Sequence, residues 1–75
     1  MKELVEYIAK ALVDKPDEVQ VSETEKEDAT VIELKVSADD MGKVIGKQGR
    51  TAKAIRLLAK AVGARDGKRV MVEIV

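Results

Sequence analysis

Two glycines, Gly46 and Gly49, bracket Lys47 and Gln48 in the stretch Val44-Ile45-Gly46-Lys47-Gln48-Gly49-Arg50-Thr51. Glycine tolerates positive φ and carries no Cβ, so a turn built on two of them can bring bare main chain against a ligand that larger side chains would hold off. If a helix starts directly after the turn, its first amides are unpaired and its dipole places partial positive charge there. Lys47 and Arg50 add formal charge at the same place. The chemistry this combination supports is the gripping of a sugar-phosphate backbone. A bare G-x-x-G also occurs as a plain tight turn between packed helices, so the context has to separate the two readings. The overlapping Gly42-Lys43-Val44-Ile45-Gly46-Lys47 looks superficially like a nucleotide phosphate loop. It has three spacer residues where that motif needs four, and Gln48 stands where a magnesium-binding Ser or Thr is required.

The remaining composition narrows the chemistry further. The 75 residues contain no cysteine and no histidine, which removes thiolate metal sites, disulfides, the commonest metal ligand and the commonest general base. No nucleophile–base pair or metal cluster stands out, so neither enzymatic activity nor a cofactor is expected. No apolar run approaches the roughly 20 residues of a membrane span, and the first residues lead straight into an amphipathic pattern, which predicts a soluble cytoplasmic protein. The formal net charge of zero hides a division along the chain. Residues 1–40 hold five basic and twelve acidic groups, net −7, whereas residues 41–75 hold nine basic and two acidic groups, net +7. Six Lys or Arg occur from Lys43 through Lys60 with no acid between them. A polyanion would meet the protein there; the alternative is a solvated helix face that balances the acidic half.

These residues must be positioned by a small set of elements. Leu4, Val5, Ile8 and Leu12 recur at helical spacing and predict an amphipathic helix over 2–13, ended by Asp14, Lys15 and Pro16. Alternation predicts strands over 18–24, with Val19 and Val21 inward, and over 30–36, with Ile32, Leu34 and Val36 inward. The polar run from Glu25 to Asp28 joins them as a hairpin. Ser37 followed by Asp40 has the spacing of a helix cap. A short helix carrying Met41, Val44 and Ile45 is then interrupted at Gly46, and a second runs over 50–62 until Gly63 stops it. A last strand alternates Val70, Val72 and Ile74 with Arg69, Met71 and Glu73. The order αββααβ predicts one α+β domain over 1–75. Its sheet is three-stranded and mixed, the second and third strands parallel, with helices on one face.

Tyr7 is the only aromatic residue, which disfavours modules that stack bases on exposed rings. A clamp with an aliphatic groove needs none. With VIGKQGRTAKAIR in this setting, residues 37–62 resemble the core of a KH domain, and the helix and strand before them resemble the type II, bacterial arrangement. More narrowly, the chain resembles the KhpA (YlqC) family of small bacterial RNA-binding proteins, over essentially its whole length. The resemblance implies binding of single-stranded RNA, with single-stranded DNA as an alternative ligand, and a role as an RNA chaperone or post-transcriptional regulator linked to cell shape. It also implies pairing with itself or with a larger KhpB (Jag) partner. Carried over by residue, Gly46, Lys47, Gln48 and Gly49 form the clamp, Val44 and Ile45 the apolar groove, and the second strand the opposite wall. Lys43, Arg50, Thr51 and Lys53 flank the clamp. Arg65, Lys68 and Arg69 either approach from the far side as phosphate contacts or form a solvated loop. Many KH domains carry a bulky aliphatic residue three positions after the second glycine, where this chain has Ala52.

Helical spacing places Thr51, Ile55, Leu58 and Val62 toward the core and Arg50, Lys53, Arg56 and Lys60 along another side. Leu57, with Ala54 and Ala61 beside it, makes an apolar strip suited to a symmetric dimer. The competing functional reading is therefore a KH-shaped protein-interaction module with little affinity for RNA.

Overall fold

The computed structural model describes residues 1–75. Its elements are α1 (Lys2–Leu12), β1 (Gln20–Glu25), β2 (Thr30–Lys35), α2 (Met41–Ile45), α3 (Arg50–Arg65) and β3 (Val70–Ile74). Single turns of 3-10 helix lie at Pro16–Glu18, Ala38–Asp40 and Lys47–Gly49. The strand order is β1-β2-β3. β1 runs antiparallel to β2, with Gln20 opposite Lys35, and β2 runs parallel to β3, with Thr30 opposite Val70. A four-residue turn allows the first pairing, whereas the second needs the α2–α3 crossover.

Side-chain alternation sets the layers. Val21, Ile32, Leu34, Val70 and Val72 are buried, while Glu33, Lys35, Met71 and Glu73 are exposed, so the helices cover one face of the sheet and the other meets solvent. Val5 and Ala9 from α1 and Ile55 and Ala59 from α3 close over the inner face. This is the α+β arrangement expected from the sequence.

Four local expectations are corrected. β1 starts at Gln20 rather than residue 18, because Pro16 fixes φ and opens a 3-10 turn instead. The α1 core face is centred on Val5 and Ala9, leaving Leu12 partly exposed. In α3 the core face is Ala52, Ile55, Ala59 and Gly63, rotated from the expected Thr51, Ile55, Leu58 and Val62; Leu58 is half exposed. Helical period alone does not distinguish a leucine face from an alanine face. Finally, Gly63 does not stop α3, which continues to Arg65. Gly63 is buried against β3, where a Cβ would stand 2.4 Å from Val70 Cγ2 and 3.0 Å from the Lys68 carbonyl oxygen. The small residues thus let α3 lie close on the sheet, and β3 follows α3 after the short turn over 66–69.

Candidate nucleic-acid interface

Helix α2 has five residues, far too few to persist alone, so tertiary contacts must hold it. Val44 is fully buried in the core and Met41 packs against it. The second anchor is Asp40, a carboxylate at 1 % exposure immediately before α2. Its Oδ2 accepts from the Lys15 amide at 3.0 Å and its Oδ1 from the Asp14 amide at 3.3 Å, which ties α2 to the segment leaving α1. Lys43 completes the cluster by pairing with Asp14 and, at 3.4 Å, with Asp40. The expected Ser37–Asp40 cap is therefore only half right. Ser37 Oγ accepts from the Asp39 amide, but the Asp40 carboxylate reaches across to another segment.

Burial pushes the Asp40 carboxyl upward, but the Lys15 and Asp14 amides and the Lys43 ammonium outweigh it and hold the group below its ordinary 3.8. A depressed folded-state value means that the stabilisation is complete above the unfolded value and is lost as pH falls through the folded one. Asp40→Asn is accordingly expected to melt about 10 °C below the parent at neutral pH. That gap should narrow below about pH 4, measured by circular dichroism. A gap unchanged down to about pH 2.5 would show that the charge is irrelevant.

The turn after α2 has unusual backbone angles at three of four positions. Gly46 adopts φ 77°, ψ 173°, Gln48 φ 59°, ψ 25°, and Gly49 φ 74°, ψ 13°. The Gly49 amide donates to the Gly46 carbonyl at 3.1 Å, closing a single turn in which the preceding Lys47 and Gln48 amides have no acceptor. Gly49 begins α3 in the left-handed region without any side-chain cap. Lys47 and Gln48 are exposed and the two glycines half-buried. Gln48 Oε1 accepts from Arg50 Nη2 at 3.1 Å, orienting both side chains. Thr51 lies directly beneath the turn, its Oγ1 only 2.2 Å from where a Gly46 Cβ would be. The turn is thus a bare main-chain surface flanked by Lys47 and Arg50.

Beyond it, Lys53, Arg56 and Lys60 share one side of α3. Neither they nor Lys47 and Arg50 form an ion pair within the chain, so their charge is available to a ligand. Lys43 differs, being held by Asp14 and Asp40. Arg56 Nε donates to the Val72 carbonyl at 3.2 Å, so this side of α3 overhangs β3. The strand beside this side of α3 is therefore β3 and not β2, which is central in the sheet and has its inner residues under the helices. Arg56 was absent from the residues expected at the site. Its place in the basic register was legible, but its reach to an edge strand was not.

Ile45, partly exposed, stands beside the turn, while Val44 faces inward as support. Arg65, Lys68 and Arg69 are not brought to the Gly46–Gly49 turn: they lie at the other end of α3, about 24 Å away by helical rise. Lys68 pairs with Glu25 at 3.6 Å. It and Arg69 line a polar cleft of about 320 Å³ shared with Glu25, Glu27 and Asp28, whose carboxylates disfavour a phosphate. Leu57 is 68 % exposed, with Ala54 and Ala61 also at the surface, and the half-exposed Leu58 extends the strip. No helix is long and apolar enough to cross a membrane, and no cluster of metal-ligating side chains is present.

Residues 2–74 match the family model described as KhpA/KhpB, KH domain. The chain is 63 % identical to the RNA-binding protein KhpA of Clostridium acetobutylicum and 61 % identical to that of Clostridium perfringens, each over 75 residues and the whole of both chains. It is 53 % identical to the RNA-binding protein KhpA of Aquifex aeolicus over 74 residues, covering 99 % of this chain and 94 % of that one.

Proposed function

The chain belongs to the KhpA/KhpB KH-domain family, and from that premise we propose that it binds single-stranded RNA through the turn formed by Gly46, Lys47, Gln48 and Gly49. One observation carries the reading. The turn exposes main-chain amides and two polar side chains at the uncapped start of a 16-residue helix whose basic side forms no ion pair within the chain. A phosphate at Lys47 and Gln48 would accept from oriented amides in the positive field of the α3 N-terminus, with Lys47 and Arg50 adding charge. Bases would then point across the groove toward β3, supported by Ile45, with about four nucleotides held. Without an aromatic platform, the grip is mainly electrostatic and main-chain in character, suited to a chaperone or post-transcriptional regulator acting on many transcripts.

The apolar strip of Ala54, Leu57, Leu58 and Ala61 supports self-association or pairing with a KhpB-type partner. Two grooves on one transcript would raise avidity over a single weak one.

Two or three neutralised phosphates predict that log affinity falls against log salt with a slope of about −1.4 to −2.1, at roughly −0.7 per phosphate for single strands. Fluorescence anisotropy with a labelled short RNA at several salt concentrations measures this. A flat response would contradict capture of the backbone and favour the protein-interaction reading.

A further inference from the structure

We propose that Asp40 is a positioning residue for RNA binding. By tying α2 to the segment that leaves α1, it holds the turn over 46–49 in the shape that grips a phosphate, so that loosening it lowers RNA affinity in a protein that is still folded. This role rests on the clamp reading and goes beyond it, since Asp40 is 1 % exposed and itself touches no ligand.

Helix α2 has little rigidity of its own. It is five residues long and contains Gly42, where a Cβ would meet only open space, so neither length nor packing at that position stiffens it. Its apolar grip on the core is Val44, with Met41 packed at the margin. One point of attachment fixes where a short helix sits but leaves it free to tilt. Asp40, at the N-terminal end of α2, supplies the second point. The Val13 amide makes the last bond of α1, to the Ala9 carbonyl, and the next two amides have no main-chain acceptor. They donate to Asp40 instead, Lys15 to Oδ2 at 3.0 Å and Asp14 to Oδ1 at 3.3 Å. Lys43, one helical turn further on, reaches back to Oδ1 at 3.4 Å and also pairs with Asp14, while Lys15 Nζ meets Asp39 at 2.9 Å. Residues 14–15 and 39–43 are thus fastened together around one buried carboxylate.

The turn lies at the other end of this lever. Gly46 follows Asp40 by six residues, about 9 Å by helical rise, and its amide closes α2 on the Gly42 carbonyl at 2.9 Å. A tilt of about 10° at Asp40 would therefore carry the turn by about 1.5 Å. Hydrogen bonds from the Lys47 and Gln48 amides to a phosphate tolerate less, because a binding constellation has to be held to within about 0.5 Å. Helix α3 does not follow such a tilt, being packed on the sheet through Ala52, Ile55, Ala59 and Gly63. The two amides would then move relative to Arg50 and the start of α3, which complete the anion site. Asp40→Asn cannot keep the link. A carboxamide has one acceptor oxygen, and its NH2 group would face a main-chain N–H.

Anisotropy titrations with a labelled single-stranded RNA hexamer, well below every melting transition, compare the parent with Asp40→Asn and with Val21→Ala. Val21 is buried in β1, at the opposite edge of the sheet from β3, so its truncation destabilises the core without touching the link. Asp40→Asn is expected to weaken binding at least about ten-fold, while Val21→Ala stays within about two-fold of the parent. The sign is informative, because removing a negative charge and freeing Lys43 would on electrostatics alone strengthen the hold on a polyanion. The amide resonances of Lys47 and Gln48 should shift in Asp40→Asn and stay in place in Val21→Ala. Should Asp40→Asn be largely unfolded in buffer, all three proteins are titrated in sucrose, which favours the compact state. Parental affinity in folded Asp40→Asn, or an equal loss in Val21→Ala, overturns the role of Asp40 alone, provided that the variant carrying Lys47→Asp and Gln48→Asp has lost binding. If that double variant binds as the parent does, the clamp reading falls and this role with it.

Discussion

Gly46→Ala is expected to lower the melting temperature by more than about 10 °C and to weaken RNA binding at least about ten-fold, whereas Gly49→Asn leaves the melting temperature close to that of the parent. Gly46 combines φ 77° with ψ 173°, a region open essentially to glycine alone. A Cβ there would also stand 2.2 Å from Thr51 Oγ1 and 2.9 Å from the Thr51 amide nitrogen. The hydroxyl can rotate away, but the amide is part of the first turn of α3 and cannot. Backbone strain of about 1–3 kcal/mol and overpacking of similar size add on a small domain, where each kcal/mol is worth roughly 4–8 °C. Relief requires the turn to open, which moves the Lys47 and Gln48 amides out of register with a phosphate. Gly49 instead lies in the left-handed helical region with open space where its Cβ would be, a conformation Asn adopts readily. Thermal melts and anisotropy on the two variants check the contrast, and equal behaviour would show that the turn tolerates either shape.

How much of this was legible beforehand depends on what each signal encodes. Period-two alternation in Val19 to Val21, Ile32 to Val36 and Val70 to Ile74 reports directly which strand face is buried, and the structure has those faces inward. The mixed sheet followed from connection lengths, because β2 and β3 are separated by two helices. The pair of glycines announced a turn of special φ, and both have positive φ. Two of the misreadings share a cause, a contact between distant segments. Gly63 looked like a stop because glycine usually ends helices, but here it is chosen for its closeness to Val70. Asp40 has the spacing of a cap and serves instead as an acceptor for amides 25 and 26 residues earlier. Gln48, the one non-glycine residue with positive φ, carries no local signal for that conformation. The basic residues were visible as a run, but a run does not say which are free. Lys43 and Lys68 are engaged with carboxylates, while Lys47, Lys53 and Arg56 are not.

The central claim is that exposed main chain between α2 and α3 holds the RNA backbone, and the variant carrying both Lys47→Asp and Gln48→Asp addresses it most directly. Both side chains are exposed, and Gln48 sits in the left-handed region, which aspartate enters with little penalty, so the fold should persist. The substitutions remove one positive charge and place two negative ones where a phosphate would lie. Like-charge juxtaposition of this kind costs several kcal/mol, so affinity for a short single-stranded RNA should fall by at least about 100-fold. Circular dichroism and melting should stay close to those of the parent. Unchanged RNA affinity in a folded double variant would contradict the clamp and move the binding surface elsewhere on the molecule.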